Sequence, residues 1–309
     1  MIKALSKMFS LGERFARPKK PHSPEADSAR AEGEQTELFA PHFYFPIPSR
    51  DEISRDEKRL FDIPLGLQAI DMNVDGQLKL LATLAGYYKD LPFHAEKTEG
   101  LRYLFENRMY SYSDAICLYS MIRHLKPRAI IEVGAGYSCC VMLDTNELFF
   151  DNRISCTFID PHPQAFLSLL KRSDLGRIEL VPSRLQDVSL SRFSTLSAND
   201  ILFIDSTHVS KIGSDVNYLV FEILPILQSG VYVHFHDIFY PFEYPKRWVC
   251  DLGIAWNEAY LLRSFLQYNP AFRIALFNSY LAHFHEEIFK ESMPLCLKNT
   301  GASLWLRRV

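Results

Sequence analysis

Six cysteines stand in the 309-residue chain, Cys117, Cys139, Cys140, Cys156, Cys250 and Cys296, and no two have Cys-x-x-Cys spacing. The arrangement that marks redox pairs and zinc sites is therefore missing. Four of the six fall inside apolar strand or helix patterns, where a thiol acts as a small hydrophobe, so the chain reads as reduced and cytoplasmic. Long apolar runs are absent too. A span of the bilayer takes roughly 20 apolar residues, and "LVFEILPIL" is interrupted by Glu222 and Pro225. Neither sign of charge dominates: the formal net charge is -3, with 48% apolar and 23% charged residues. That is ordinary globular composition, which gives no ground for nucleic-acid binding and leaves small molecules or proteins as partners. There is no internal repeat.

The first 20 residues, "MIKALSKMFSLGERFARPKK", carry apolar residues at roughly helical spacing and a basic face, but too short an apolar stretch for a signal peptide. They are expected to form a frayed tail, with peripheral membrane contact as the alternative. Residues 17 to 37 mix charge, Pro, Ser and Ala without an apolar period and read as linker, so 1–38 is taken as tail and linker. Aromatics and prolines return in "LFAPHFYFPIPS", and "DGQLKLLATLAGYYKDL" has the i, i+3, i+4, i+7 apolar spacing of a helix with one buried face. Residues 39–105 are accordingly expected to form an N-terminal helical cap on a domain spanning 106–309.

From residue 110 onward, helical patterns alternate with short β-branched runs. A helix near 111 to 125 precedes "AIIEV"; a helix over 138 to 150 precedes "ISCTFID"; a helix at 162 to 172 precedes "RIELV" and "ILFID". Further helices near 213 to 228 and 254 to 268 lead to "VYVHFH" and "FRIALF", and "SLWLRRV" closes the chain. Strands apolar throughout and separated by helices imply a Rossmann-like, doubly wound α/β fold with a mostly parallel sheet. The last strand follows no clear helix and is expected to run antiparallel.

In such a sheet the ligand lies beyond the carboxyl ends of the strands, where glycines after the first strand let backbone approach it. "EVGAGYS" has that placement. A dinucleotide turn would need a third glycine at position 139, which is Cys139, so a pyrophosphate grip is disfavoured and a cofactor with a cationic or neutral head is favoured. The second strand ends at Asp160, 24 residues beyond Gly136, near the interval at which a carboxylate reaches a ribose hydroxyl. In "PSRLQDV", Gln186 and Asp187 offer a hydrogen-bonding pair for an adenine edge.

At "IIEVGAGYS", Asp160, "LQDV" and "FIDSTH" the chain resembles the class I S-adenosylmethionine-dependent methyltransferases, in particular the small-molecule O-methyltransferase branch and the methyltransferase domain 24 family, over residues 105 to 309. The resemblance implies that Glu132 and Gly134 lie near the amino-acid end of S-adenosylmethionine and that Gly136 passes under it. Tyr137 belongs to the same turn, and Ser138 would touch the cofactor's carboxylate. Asp160 would hold the ribose, and Asn107, Tyr110 and Tyr112 would close over the methionine part.

Two strand ends carry the remaining chemistry. Alternation sends His234 and His236 to one face, and Asp205, His208, His236 and Asp237 are expected to converge. Methyl transfer from a sulfonium needs the acceptor aligned and its proton removed, so His208 is the preferred base, oriented by Asp205 or Asp237, with His236 next. In the metal-dependent members of the resembled family, acids after the fourth and fifth strands hold a divalent cation; Asp205 and His236-Asp237 match those positions, but the histidine departs from an all-oxygen set and argues against a metal. His283 and His285 repeat the His-x-His pattern, and "YPFEYPKRW" suits a pocket wall. The expected activity is methyl transfer to a hydroxyl of a small metabolite or saccharide. The alternatives are a nucleotide-dependent oxidoreductase and a non-catalytic cofactor-binding module of a membrane-associated assembly.

Overall fold

A computed structural model describes residues 46–309. The expected tail and linker, the basic segment at residues 1–20 and the first residues of the cap lie outside the described residues. Helix α1 (Arg50–Leu60) opens the described chain, and residues Ile53–Val309 form one unit. There α2 (Val74–Tyr88) packs against α3 (Ser113–Leu125) and the sheet. All of α3 except Arg123 and His124 is buried, as fits a helix whose sequence is apolar on nearly every side.

Strand β1 (Ala129–Val133) leads into α4 (Tyr137–Phe150), β2 (Ser155–Ile159), a single turn α5 (Gln164–Leu167), β3 (Glu179–Val181), a second single turn α6 (Leu190–Phe193) and β4 (Ile201–Ile204). Helix α7 begins at Asp215–Tyr218, widens over Leu219–Ile223 and ends at Leu224–Ile226. Pro225 explains the widening: it has no N–H to give and its ring crowds the preceding turn. Next come β5 (Tyr232–Phe235), α8 (Lys246–Cys250), α9 (Glu258–Leu266), β6 (Phe272–Phe277), α10 (Asn278–Phe284), α11 (Glu286–Ser292) and β7 (Leu304–Arg308).

The sheet order is β3-β2-β1-β4-β5-β7-β6. Strands β1 to β5 are parallel, and β7 runs antiparallel between β5 and β6. The Rossmann-like sheet with an antiparallel last strand is thus as expected. Because the chain winds outward from β1 in one direction and from β4 in the other, a crevice opens above the carboxyl ends of this central pair.

The expected helix at 162 to 172 is reduced to α5. Beyond it Asp174 accepts the Lys171 N–H at 2.7 Å, and its carboxylate takes the buried Arg102 guanidinium. Arg102 also reaches Asp144 at 2.6 Å and Glu147 at 2.8 Å. A local side-chain bond and a buried ion pair therefore outcompete helix propagation. No described helix is long and apolar enough to cross a membrane.

Candidate active site

The turn after β1 explains its glycines. Gly134 has φ +85, and a Cβ there would fall 1.8 Å from the carbonyl oxygen of Asp205, so only glycine lets the ends of β1 and β4 lie this close. A Cβ at Gly136 would meet no protein atom within 4 Å, which leaves that side of the turn open to the crevice. Asp160 fastens the turn from β2: its carboxylate accepts the N–H of Ala135 at 2.9 Å and of His162 at 2.6 Å.

Two cavities of about 540 and 550 Å³ share Gly134, Asp160, Asp205, Ser206 and Thr207. Gly136, Tyr137, Ser138 and Tyr110 line the first, beside the reaction centre; Gln186 lines the second, where its amide donates to the Gly213 carbonyl at 2.7 Å. Of the other residues singled out for the cofactor, Glu132 lies beneath the turn, fully buried, and accepts bonds from the Ser138 hydroxyl and the Cys139 thiol. Burial pushes its carboxyl up to about 8 against the pull of those two donors. Asp187 is exposed and makes a two-pronged pair with Arg184 at 2.9 Å, off both cavities. Asn107 braces its own turn, with its oxygen accepting the Tyr110 N–H at 2.7 Å. Tyr112 stacks on Phe105 at 4.8 Å and bonds Glu106, away from the crevice.

The four reaction-centre residues do converge. His208 Nε2 lies 3.3 Å from Asp205 and 3.7 Å from Asp237; His236 Nδ1 lies 3.4 Å and 3.7 Å from the same two carboxylates. His208 and Asp237 hold φ of +59 and +57, the left-handed region that non-glycine residues seldom occupy and that here turns both side chains inward. Burial works against the charged form of His208, but the neighbouring carboxylates of Asp205 and Glu258 outweigh it and raise the ring to about 10. His236 is raised in the same way, with Asp237, Asp205 and Asp114 overcoming burial, and Asp205 is held low by the two rings against its own burial.

His234 is different. It is buried, stacks on Phe203 at 3.9 Å, and its Nε2 pairs with the Ser303 hydroxyl at 2.8 Å; burial lowers its pKa. His283 and His285 pack against Phe284 and Tyr280 and line neither cavity.

Sequence reasoning missed three contributors. Glu258 sits 2.8 Å from His208 Nδ1, Asp114 sits 3.6 Å from His236 Nε2, and Trp256 packs on His208 with ring centres 4.3 Å apart. Each comes from a segment distant in sequence, so no local spacing signals it. Asp114 is cradled by the Ala302 N–H at 3.0 Å, and a Cβ at Gly301 would fall 2.4 Å from its oxygen.

Ligand atoms of Asp205, His208 and Asp237 lie within 4.8 Å of one another. His236 Nδ1, buried and without a hydrogen-bond partner, faces the same space. The separations exceed ordinary hydrogen-bond lengths, so the four side chains ring a centre. The imidazole and two carboxylates of Asp205, His208 and Asp237 fit a divalent cation, and a transition metal better than magnesium, with His236 beside that set.

The methyltransferase domain family matches residues 131–238, from within β1 to just past Asp237. An uncharacterized protein of Archaeoglobus fulgidus is 33% identical over 171 residues, covering 53% of this chain and 76% of that protein. Residues 131–238 are thus a methyltransferase domain. Among solved structures, the SAH-bound methyltransferase of Podospora anserina covers 95% of this chain and 100% of its own at 13% identity, with a TM-score of 0.43. The O-methyltransferase TomG of Streptomyces achromogenes, in complex with SAM, covers 84% and 96% at 13% identity, with a TM-score of 0.40. The methyltransferase match ends at the reaction centre, and both residues placed behind the imidazoles, Asp114 and Glu258, lie outside it.

Proposed function

We propose that this methyltransferase uses S-adenosylmethionine to methylate a hydroxyl of a small metabolite or saccharide. The observation that carries the reading is the pair of cavities joined at Gly134, Asp160 and Asp205, one of which opens onto the four-residue centre. The second cavity has room for the adenosine, with Asp160 at the ribose and Gln186 at the adenine. The first takes the methionine part and the acceptor. Asp205, held ionised by the two rings, would face the sulfonium, which suits a cationic cofactor.

In the reaction the acceptor oxygen attacks the methyl carbon in line with the departing sulfur. The C–O bond forms as the C–S bond breaks, the sulfonium becomes a neutral thioether, and the hydroxyl proton passes to His208 Nε2. Because His208 is raised to about 10, its free-base fraction is small at neutral pH. A base of this kind predicts a rate that climbs with pH across the neutral range.

The clustering of Asp205, His208 and Asp237 favours a second reading, in which these three side chains hold a divalent cation with His236 beside them. Such a cation would polarise the acceptor hydroxyl. His208 would release its Nε2 proton to solvent when the cation binds, and the surrounding side chains would orient the acceptor.

One experiment addresses both readings: calorimetric titration with S-adenosylmethionine, followed by a screen of metabolites and saccharides with labelled cofactor, with and without chelator. Saturable cofactor binding and mass gain of a methyl group on a hydroxyl are expected. No binding at saturating cofactor would end the proposal, and activity abolished by chelator would select the cation reading over the histidine base.

A further inference from the structure

Three consecutive residues at the start of α9 hold His208, its ring through Trp256 and Glu258 and its main chain through Asn257 and Glu258. Trp256 covers the ring at 4.3 Å between centres with a tilt of 36°. The main-chain N–H groups of Asn257 and Glu258 both donate to the His208 carbonyl at 3.1 Å. The Asn257 side chain takes the Ser210 N–H at 2.6 Å and gives its own amide to the Ser210 carbonyl at 3.1 Å. Glu258, fully buried, turns inward so that Oε2 lies 2.8 Å from His208 Nδ1. An acid in the first turn of a helix is ordinarily stabilised by facing the helix's own N–H groups and solvent. This one is spent on a ring nitrogen 50 residues away.

We propose that Glu258 is a positioning residue for methyl transfer: its carboxylate accepts the proton on His208 Nδ1, fixing the ring so that Nε2 faces Asp205, Asp237 and the acceptor. Burial raises the Glu258 carboxyl, while the bond to His208 pulls it back towards the ionised form; an ionised carboxylate accepts and cannot donate, so the nitrogen it touches carries the hydrogen. Nε2 is then the atom presented to the centre, whether as base or as ligand. The backbone of His208 needs the same help. Its left-handed conformation is held by the paired N–H donors from α9, and Trp256 packs on one face of the ring. The catalytic consequence rests on the methyl-transfer reading above; the tautomer and its cause do not, and they are tested without turnover.

The test is nitrogen-15 and proton NMR of histidine-labelled protein, with the His208 signals assigned by their absence in His208→Asn, a residue that tolerates the left-handed backbone. In the wild type a downfield, solvent-protected proton on His208 Nδ1 is expected. Glu258→Ala should lose it to solvent exchange, while Glu258→Gln, whose amide oxygen still accepts, should keep it with an upfield shift. Backbone amides of α9 report that each variant is folded. A wild-type spectrum with no proton on Nδ1 overturns the proposal, as does a folded Glu258→Ala whose Nδ1 proton is unchanged. If Glu258→Ala fails to fold, the wild type and Glu258→Gln decide: loss of the protected proton in folded Glu258→Gln shows that the charge, and not the accepting oxygen, fixes the ring, and overturns this account. Absence of S-adenosylmethionine binding with the Nδ1 proton present would sink the proposed function and leave the positioning intact.

Discussion

At the carboxyl ends of β1 and β2 the crevice is built around a main-chain turn, whereas at those of β4 and β5 it is built around clustered charge. The first end consists of two glycines, a carboxylate that closes the turn by accepting two N–H groups, and a buried acid that never reaches the cavity. The second brings Asp205, His208, His236 and Asp237 within 4 Å of their neighbours and backs the two rings with Glu258 and Asp114. Such an end can recognise a ligand only by shape and a few hydrogen bonds. At the second, every side chain sets the charge state of the others, so loss of one changes the chemistry of all.

The largest effect should therefore come from the charged end. His208→Ala is expected to lower turnover at least ~100-fold in the labelled-methyl assay, with S-adenosylmethionine affinity nearly unchanged. His208→Asn, which relieves the backbone strain, should be as inactive; unchanged turnover in both would remove His208 from the chemistry. Asp160→Ala should do the reverse, weakening the cofactor by about 1 to 3 kcal/mol in calorimetry through loss of charge-assisted bonds. A difference near zero would refute its place at the ribose and leave it a turn-closing residue only.

How much could be read from the chain follows the same division. β1 and β6 run over the residues their apolar patterns predict, and Gly134, Gly136 and Asp160 are legible because main-chain recognition leaves short-range spacing in the sequence. His208, His236 and the two aspartates were legible as strand-end polar residues after apolar runs. Their partners were not. Glu258 looks like any acid in a first helical turn, Asp114 like another, and Arg102 like a surface charge until Asp144, Asp174 and Glu147 surround it. Helix 162 to 172 failed for that reason: its spacing is helical, and a buried ion pair overrode it.

Glu132 sharpens the contrast from below the turn. Its folded pKa, about 8, lies above the ~4.3 of an unfolded glutamate, so the folded state binds the proton more tightly. The resulting stability is fully present below ~4.3 and is lost as pH rises through about 8. The groups that face it, Ser138, Cys139, Asp160 and Asp205, supply two donors and two like charges. Glu132→Gln keeps an accepting oxygen and cannot ionise, so its melting temperature should fall less than the wild type's between pH 6 and 9. A gap on the order of 2 to 4 °C at the alkaline end is expected, equivalent to about 1 kcal/mol. Parallel curves would mean that Glu132 is already ionised at neutral pH.

The smallest effect belongs to Asp187, and it tests whether the cofactor end is preformed. Asp187 and Arg184 are both exposed and pair with each other, and only Arg184 borders the second cavity. A surface pair of this kind contributes little and is screened by salt. Asp187→Ala should therefore leave S-adenosylmethionine affinity within about twofold, while Gln186→Ala, which removes a side chain lining that cavity and its bond to Gly213, should weaken it more. If Asp187→Ala proved the more damaging, the Arg184 pair would have to open so that Asp187 could turn to the adenine. Both ends of the crevice would then depend on rearranged charge, and the contrast between a main-chain end and a charged end would no longer hold.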